Sequence, residues 1–431
     1  MKQSPLNTLD ELNRRRFMAR FARSMFGVGL LPFANQNAFG IDLPTGSKSA
    51  QAKNVIYLFM AGGMSQIDTF DPKPGAATQG PVETLRSNVD DISVSQYLPL
   101  MALNMDKVAV VRSLTSTQGA HEQGRYFMRT SYSPRGTITH PGLGSWIIAL
   151  DGKHNGTLPG AVNIGGVNSG AGFLDPSFSP LPIGDPEKGL QNASPLAGSS
   201  VVDINDGLEL SEFLDTNFHK TYSKVPRVQS YDTLYREAIN LMMSRDLEAF
   251  NIAREDARLR ERYGRDKFGQ GVLLARRLIE HGVRFVEVTL GGWDTHDSNF
   301  DRVEDRATVL DQALSALLED LEERDLLDET LVVVATEFGR TPTINTNDGR
   351  DHYPKAFTSL IAGGGIKGGT LYGATDPTGS EVIENEITIP DFNATLAHGL
   401  GLPLQKEVYS NTGRPFTVAH KGRPIRELFE S

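Results

Sequence analysis

TLVVVATEFGRTPTINTNDGRDHYPKAFTSLIAGGG, residues 330–365, is the stretch around which the whole chain can be read. Residues 331–336 are a short apolar, β-branched run. That composition suits a strand buried on both faces of a parallel sheet. The run ends in Glu337-Phe338-Gly339-Arg340, and a second strand-like run, residues 356–362, ends in three glycines. Between them lies a polar loop carrying Asp348, Arg350, Asp351 and His352. In open α/β sheets, ligands sit outside the carboxyl ends of strands. A carboxylate, a cation and a histidine therefore fall where chemistry is expected. Residues 283–290 form another strand candidate, which runs into Gly291-Gly292-Trp293-Asp294-Thr295-His296. The two regions are expected to meet in space and to hold metal.

Working outward, residues 302–327 place Val309, Leu310, Ala313, Leu314, Leu317, Leu318 and Leu321 at helical spacing. A helix of that length between two strands suits a crossover in a parallel sheet. Residues 54–60 read as the first strand, followed by the glycine turn Ala61-Gly62-Gly63-Met64-Ser65, with Asp68 just beyond. Residues 107–114 read as a second strand. The polar loop after it feeds a helix starting near His121-Glu122, with Thr115 to Thr117 placed to cap it. Residues 97–104, 141–150, 231–254, 257–282 and 389–402 also read as helices, the last with Asp391 as its N-cap. Residues 158–200 are rich in Gly, Pro, Ser and Asn, and are too long for a simple connection. They read as an insertion over one end of the sheet. There is no internal repeat and no second core, so residues 54–431 are expected to form a single α/β domain around a mostly parallel sheet.

The chain has 431 residues, 39% hydrophobic and 22% charged, an ordinary globular balance. Its net charge of -10 sets nucleic acid aside as a partner. It has no cysteine, which excludes disulfides and thiolate metal sites. Asn13-Arg14-Arg15-Arg16-Phe17-Met18 resembles the twin-arginine export motif. An apolar run over residues 25–33 follows, then the small residues of Ala38-Phe39-Gly40. The expectation is an export signal over residues 1–40, a polar linker over 41–53, and a periplasmic or secreted mature chain. The apolar run is too short for an ordinary transmembrane helix, and nothing later in the chain is long enough.

Asp294 and His296 are two apart just after a strand. On an extended segment such residues point the same way, so a carboxylate and an imidazole can share one metal ion. That pair suits zinc, manganese or iron. A capped turn with a hydrogen-bonded histidine is the plainer alternative. Glu337, at a strand end, joins Asp351 and His352 as a second set, against the alternative of a solvated loop neutralised by Arg340 and Arg350. Arginine beside a metal also suits phosphate or sulfate, because its planar fork meets oxyanions with two bonds. Gly62-Gly63 with Ser65 and Asp68 offers backbone N–H groups and an oxygen ligand, without the spacing of a Walker loop or a dinucleotide fingerprint. His121 and Glu122, at a helix start, stand where an anion or a nucleophile can sit. A cap or a core hydrogen-bonder is the alternative for that histidine.

Taken together, GGMSQIDTFDPKP, GGWDTHDSNFD, TEFGRTP and GRDHYPKAF resemble the secreted bacterial family known as domain of unknown function 1501. That family is similar to the alkaline phosphatase and sulfatase superfamily. The resemblance spans residues 54–402 and implies a three-layer α/β/α sandwich with a metal site at the carboxyl edge of the sheet. It implies that Asp294 and His296 match the superfamily's Asp/His pair, that His352 matches its late histidine, and that Glu337 stands where an Asp-His-Gly would be, with Phe338 in place of the histidine. Asp68 is the candidate for the early aspartate. His121 or Glu122 stands in for the hydroxyl nucleophile. Ser131-Tyr132-Ser133-Pro134-Arg135 has the ingredients of a sulfatase motif in the wrong register, which disfavours a sulfatase. The resemblance therefore implies a metal-dependent hydrolase of a phosphate or similar anionic ester. The metal set would be Asp294, His296, Glu337, His352 and Asp68; the catalytic set His121, Glu122 and Arg340; the substrate contacts Arg350 and Ser65. Zinc or manganese is the expected ion, with calcium or magnesium as alternatives. The rival expectation is a degenerate member that binds a ligand or a periplasmic partner without catalysis.

Overall fold

The computed structural model describes residues 52–166, 170–191 and 226–430. The expected export signal and linker residues 41–51 lie outside the described residues. The centre of the fold is a nine-stranded sheet. Its strands are β1 (Asn54–Ala61), β2 (Val108–Thr115), β3 (Ala161–Ile164), β4 (Leu181–Ile183), β5 (Phe285–Gly291), β6 (Thr330–Ala335), β7 (Phe357–Ala362), β8 (Thr370–Tyr372) and β9 (Ile387–Thr388). The order is β8-β2-β7-β6-β1-β5-β3-β4, with β9 also beside β2. Every pairing is parallel except those of β7, which runs antiparallel to both β2 and β6. β7 therefore starts, rather than ends, at the carboxyl edge of its neighbours. Residues 336–356, which join β6 to β7, both leave and return at that edge.

Alternation along β1 shows why the fold has three layers. Ile56, Leu58 and Met60 pack into one core with Val272 and Leu278 of α5 (Lys267–Glu280) and Leu310, Leu314 and Leu317 of α6 (Asn299–Glu323). Val55, Tyr57 and Phe59 pack into the other. There they meet Trp146 and Ile147 of α2 (Leu143–Asp151) and Phe392 and Leu396 of α7 (Ile389–Gly399), beside α1 (His121–Thr130). A strand with both faces covered has no polar side, which is why residues 331–336 read as continuous apolar sequence. The result is an α/β/α sandwich around a mostly parallel sheet. Among the described residues, no helix is long and apolar enough to cross a membrane.

Several local expectations are corrected. Residues 158–200, read as an insertion, supply β3 and β4 to the main sheet. Residues 97–104 form no α-helix; short 3-10 turns at Met101–Leu103 and Met105–Lys107 replace it, after Pro99. The stretch 231–254 divides: α3 (Pro226–Met243) stops before Ser244, which caps the 3-10 turn Arg245–Phe250. The stretch 257–282 divides at Gly264 into α4 (Ala257–Tyr263) and α5, the latter capped by Asp266. For α7 the cap is Thr388. Asp391 is its partner in a capping box, since Thr388 Oγ1 accepts from the Asp391 N–H while the Asp391 carboxylate accepts from the Thr388 N–H. No side chain caps α1; its N-cap is Ala120.

Candidate metal centre

β1, β5, β6 and β2 all deliver their following loops to one edge of the sheet. The loops after β1 and β5 touch backbone to backbone. A Cβ on Gly62 would lie 2.5 Å from the Asp294 nitrogen, and Gly62 has φ +122°. Glycine is required there. The loop from β6 closes over the loop from β5 just as tightly, for a Cβ on Gly349 would lie 1.9 Å from the His296 carbonyl oxygen. A two-residue antiparallel pairing of Gly339–Arg340 with His352–Tyr353 then turns His352 inward.

Asp294, His296 and His352 come together at this edge. Asp294 Oδ1 lies 3.1 Å from His296 Nε2 and 3.3 Å from His352 Nε2. The two Nε2 atoms are 3.0 Å apart. His121, the first residue of α1, joins from the other side, with Nε2 3.2 Å from Asp294 Oδ2. That Nε2 is buried and makes no hydrogen bond. Single donor atoms of His121, Asp294 and His352 all fall within 4.8 Å of one another, a spacing that one metal ion can span.

Each histidine is held from behind through Nδ1. His121 Nδ1 donates to Glu337 Oε1 at 2.9 Å, His296 Nδ1 to Asp351 Oδ1 at 2.7 Å, and His352 Nδ1 to the Gly119 carbonyl at 2.9 Å. Those partners are all acceptors, so they place the ring proton on Nδ1. The Nε2 lone pairs of His296 and His352 then face each other and a carboxylate oxygen. With neutral rings, these three electron-rich atoms at 3.0–3.3 Å repel unless a metal ion or an added ring proton lies among them. Metal-ligating histidines typically make this second-nitrogen contact to a carboxylate or carbonyl. The donor set of imidazoles and a carboxylate fits zinc, manganese or iron better than the all-oxygen shells of calcium and magnesium.

The electrostatics agree. Burial pushes the Asp294 carboxyl up, but the Arg340 guanidinium at 2.6 Å and the His121 and His352 rings outweigh it and hold the pKa at about 2. Asp294 is therefore an anion at any working pH. The Glu337 hydrogen bond raises the His121 pKa against the opposing effect of burial. Burial lowers that of His352, with Arg340 and His121 adding to the effect, which favours its neutral ring.

Other expected site residues are placed differently. Glu337 is fully buried, and its Oε1 accepts from His121 Nδ1 and from the Gly62 N–H at 2.9 Å. It orients a histidine instead of joining the converging donors. Glu122 projects to solvent and pairs with Arg125 at 2.6 Å. Arg340 is fully buried and donates to the Gly62, Gly63 and Arg350 carbonyls as well as to Asp294. Arg350 is also fully buried, forked onto Asp68. Ser65 Oγ donates to Asp68 Oδ2 at 2.5 Å. Asp68, Ser65 and Arg350 thus bond to one another and stand apart from the converging donor atoms. Asp351 has a role the sequence reading did not assign, as the partner of His296. The available signal was its adjacency to His352, since neighbours on an extended segment point opposite ways and cannot both face one ion. Phe338, in place of a histidine, packs its ring 5.2 Å from that of His121 and 4.6 Å from that of His352.

The chain is similar in structure to the PsFucS1 sulfatase from Pseudoalteromonas sp., at 12% identity and a TM-score of 0.41, over 88% of this chain and 76% of that one. It is similar to the phosphonate monoester hydrolase SpPMH from Silicibacter pomeroyi at 12% identity and a TM-score of 0.40, with the same coverage of 88% and 76%. It is also similar to the C-terminal periplasmic domain of EcEptC from Escherichia coli in complex with Zn, at 9% identity and a TM-score of 0.37, over 90% and 99%. No protein of curated function matches the chain. A family model matches residues 52–429, and the chain belongs to that family, described as Protein of unknown function (DUF1501).

Proposed function

We propose that the protein is an exported, metal-dependent hydrolase of a phosphate or similar anionic ester, with Asp294, His296 and His352 holding the metal. The observation that carries the reading is the triangle of Asp294 Oδ1 and the two Nε2 atoms at 3.0–3.3 Å, backed by Nδ1 contacts that leave a lone pair on Nε2 of each neutral ring. A bound divalent ion, zinc or manganese, would supply a Lewis acid for the ester oxygen and lower the pKa of an attacking water. His121 acts beside it as general base or nucleophile. Its Nε2 makes no hydrogen bond and lies 3.2 Å from Asp294 Oδ2, and buried Glu337 holds its ring through Nδ1. α1 begins at that same residue without a side-chain cap, so its first backbone N–H groups are open to a developing oxyanion. Arg340 keeps Asp294 ionised and in place.

One observation favours the rival reading of a binding module without catalysis. Both arginines expected to hold an anion have their donors engaged inside the protein. A panel of phosphomonoesters, phosphodiesters and sulfate esters, assayed with zinc, manganese, magnesium or calcium, separates the two. The hydrolase reading predicts turnover that His121→Ala abolishes while metal content stays unchanged. Metal-loaded protein that cleaves none of these esters would favour the binding role.

A further inference from the structure

The centre is assembled from three loops, 61–68, 294–299 and 336–353. Each contributes irregular backbone, so their mutual register needs a fastening that the sheet does not supply. Arg350 provides it. Its Nε and Nη2 donate to the two oxygens of Asp68 at 2.8 and 3.0 Å. Nη1 donates to the carbonyls of Thr341, at 3.1 Å, and Pro342, and Nη2 also donates to the Thr78 carbonyl at 2.7 Å. Guanidinium has five N–H groups, and these contacts engage all of them. The backbone of the same residue joins its own loop to the loop after β5. Its N–H donates at 2.9 Å to the carbonyl of Thr295, the residue between Asp294 and His296. Its carbonyl accepts from Arg340 Nη1 at 3.0 Å, and Arg340 in turn holds Asp294. Asp68 extends the fastening to the start of α6. Asn299 Nδ2 donates to it at 2.9 Å, and Asn299 Oδ1 accepts from Thr295 Oγ1 at 2.6 Å.

Asp68 and Arg350 are both 0% exposed. A buried ion pair is poor evidence of stabilisation, since apolar residues of equal volume often serve as well. Geometric specification is the better reason for one here. The residues directly after Arg350 are Asp351, which orients His296, and His352, whose Nε2 faces that of His296. We propose that Asp68 and Arg350 are the positioning pair of the metal centre, setting the approach of His296 to His352; this rests on the metal reading above. Lysine keeps the charge but lacks the planar fork and offers three donors, so it cannot reproduce the contacts.

The test is calorimetric titration of zinc chloride into metal-stripped full-length protein. Wild type is compared with Arg350→Lys, Asp68→Asn and, as control, Arg276→Lys. Arg276 is equally buried and ion-paired to Glu255, Glu280 and Asp320, but lies near the end of α5 where it leads into β5, at the opposite edge of the sheet. The Kd for zinc is expected to rise about 10- to 100-fold in Arg350→Lys and in Asp68→Asn, the usual cost of losing support behind a metal ligand. It should stay close to wild type in Arg276→Lys. Unchanged affinity in Arg350→Lys, or an equal loss in the control, overturns the proposal. Should Arg350→Lys fail to fold, Asp68→Asn, nearly identical in volume, is judged by the same criterion. Collapse of both would make the pair a folding element and overturn the positioning role. Wild-type protein that takes up neither zinc nor, in parallel titrations, manganese or iron overturns the metal reading itself, a separate result.

Discussion

Acid should destabilise this protein through one buried histidine outside the metal centre. His140 is 1% exposed. The Tyr126 hydroxyl donates to its Nδ1 at 2.6 Å, and the Tyr132 ring stacks on it at 4.3 Å. Burial first, then the charges of Arg135 and His420, pushes its pKa from 6.5 down to about 4. The unfolded chain therefore takes up this proton before the folded one. Stability attributable to His140 is complete above pH 6.5, falls as pH drops toward 4, and is flat below that. A gap of about 2.5 pH units at about 1.4 kcal/mol each sets a ceiling of about 3.5 kcal/mol. Solvent screening at the rim of the cluster, where His420 is exposed, brings this to about 2 kcal/mol. For a domain of roughly 380 residues, the usual unfolding entropy makes that a shift in Tm of about 2–3 °C. His140→Phe keeps the ring packing and removes the titration, at a pH-independent cost of about 1 kcal/mol for the lost hydroxyl contact. Urea or thermal melts of both proteins from pH 7.5 to 4 would show wild type losing the extra stability and the variant not. Parallel curves for the two would refute the reasoning.

Two further outcomes follow from the site and the N-terminus. Glu337→Gln removes the charged acceptor from two buried donors, so it should cost about 1–3 kcal/mol of stability and lower the His121 pKa, read from the histidine ring resonances of the metal-free protein. A His121 titration indistinguishable from wild type would show that Glu337 does not hold that ring. Export should depend on the twin arginines: Arg14→Lys with Arg15→Lys is expected to trap the protein in the cytoplasm, whereas wild type should yield a mature chain starting near Ile41. Normal export of the double variant would exclude the twin-arginine route.

The parts of the molecule legible in its sequence are those governed by local periodicity. The apolar runs at 331–336 and 283–290 are buried strands because nothing in them tolerates water, and the 302–327 pattern is a crossover helix because its apolar stripe repeats at helical spacing. Asp294 and His296, two apart after a strand, meet as that spacing suggests, with Oδ1 and Nε2 3.1 Å apart. What stayed hidden depends on pairing across long sequence separations. Glu337 looks like a ligand until β1 is seen to bring the Gly62 N–H and α1 to bring His121 onto its one oxygen. Arg340 and Arg350 look like anion binders from composition, yet their carbonyl and carboxylate partners lie up to 282 residues away. The direction of β7 is another such case. Its residues read as a strand whichever way they run, and only the sheet order shows that the glycines after it leave at the far edge.

Metal content is the most direct test of the central claim. Protein expressed with residues 1–40 in place and purified without chelator should be assayed for zinc, manganese and iron by elemental analysis, beside His352→Ala. The arrangement of Asp294, His296 and His352 predicts a stoichiometric transition metal in wild type and its loss from the variant, with the fold intact by circular dichroism. Wild type free of such metals even after incubation with them, or a folded His352→Ala that retains the full complement, would contradict the account.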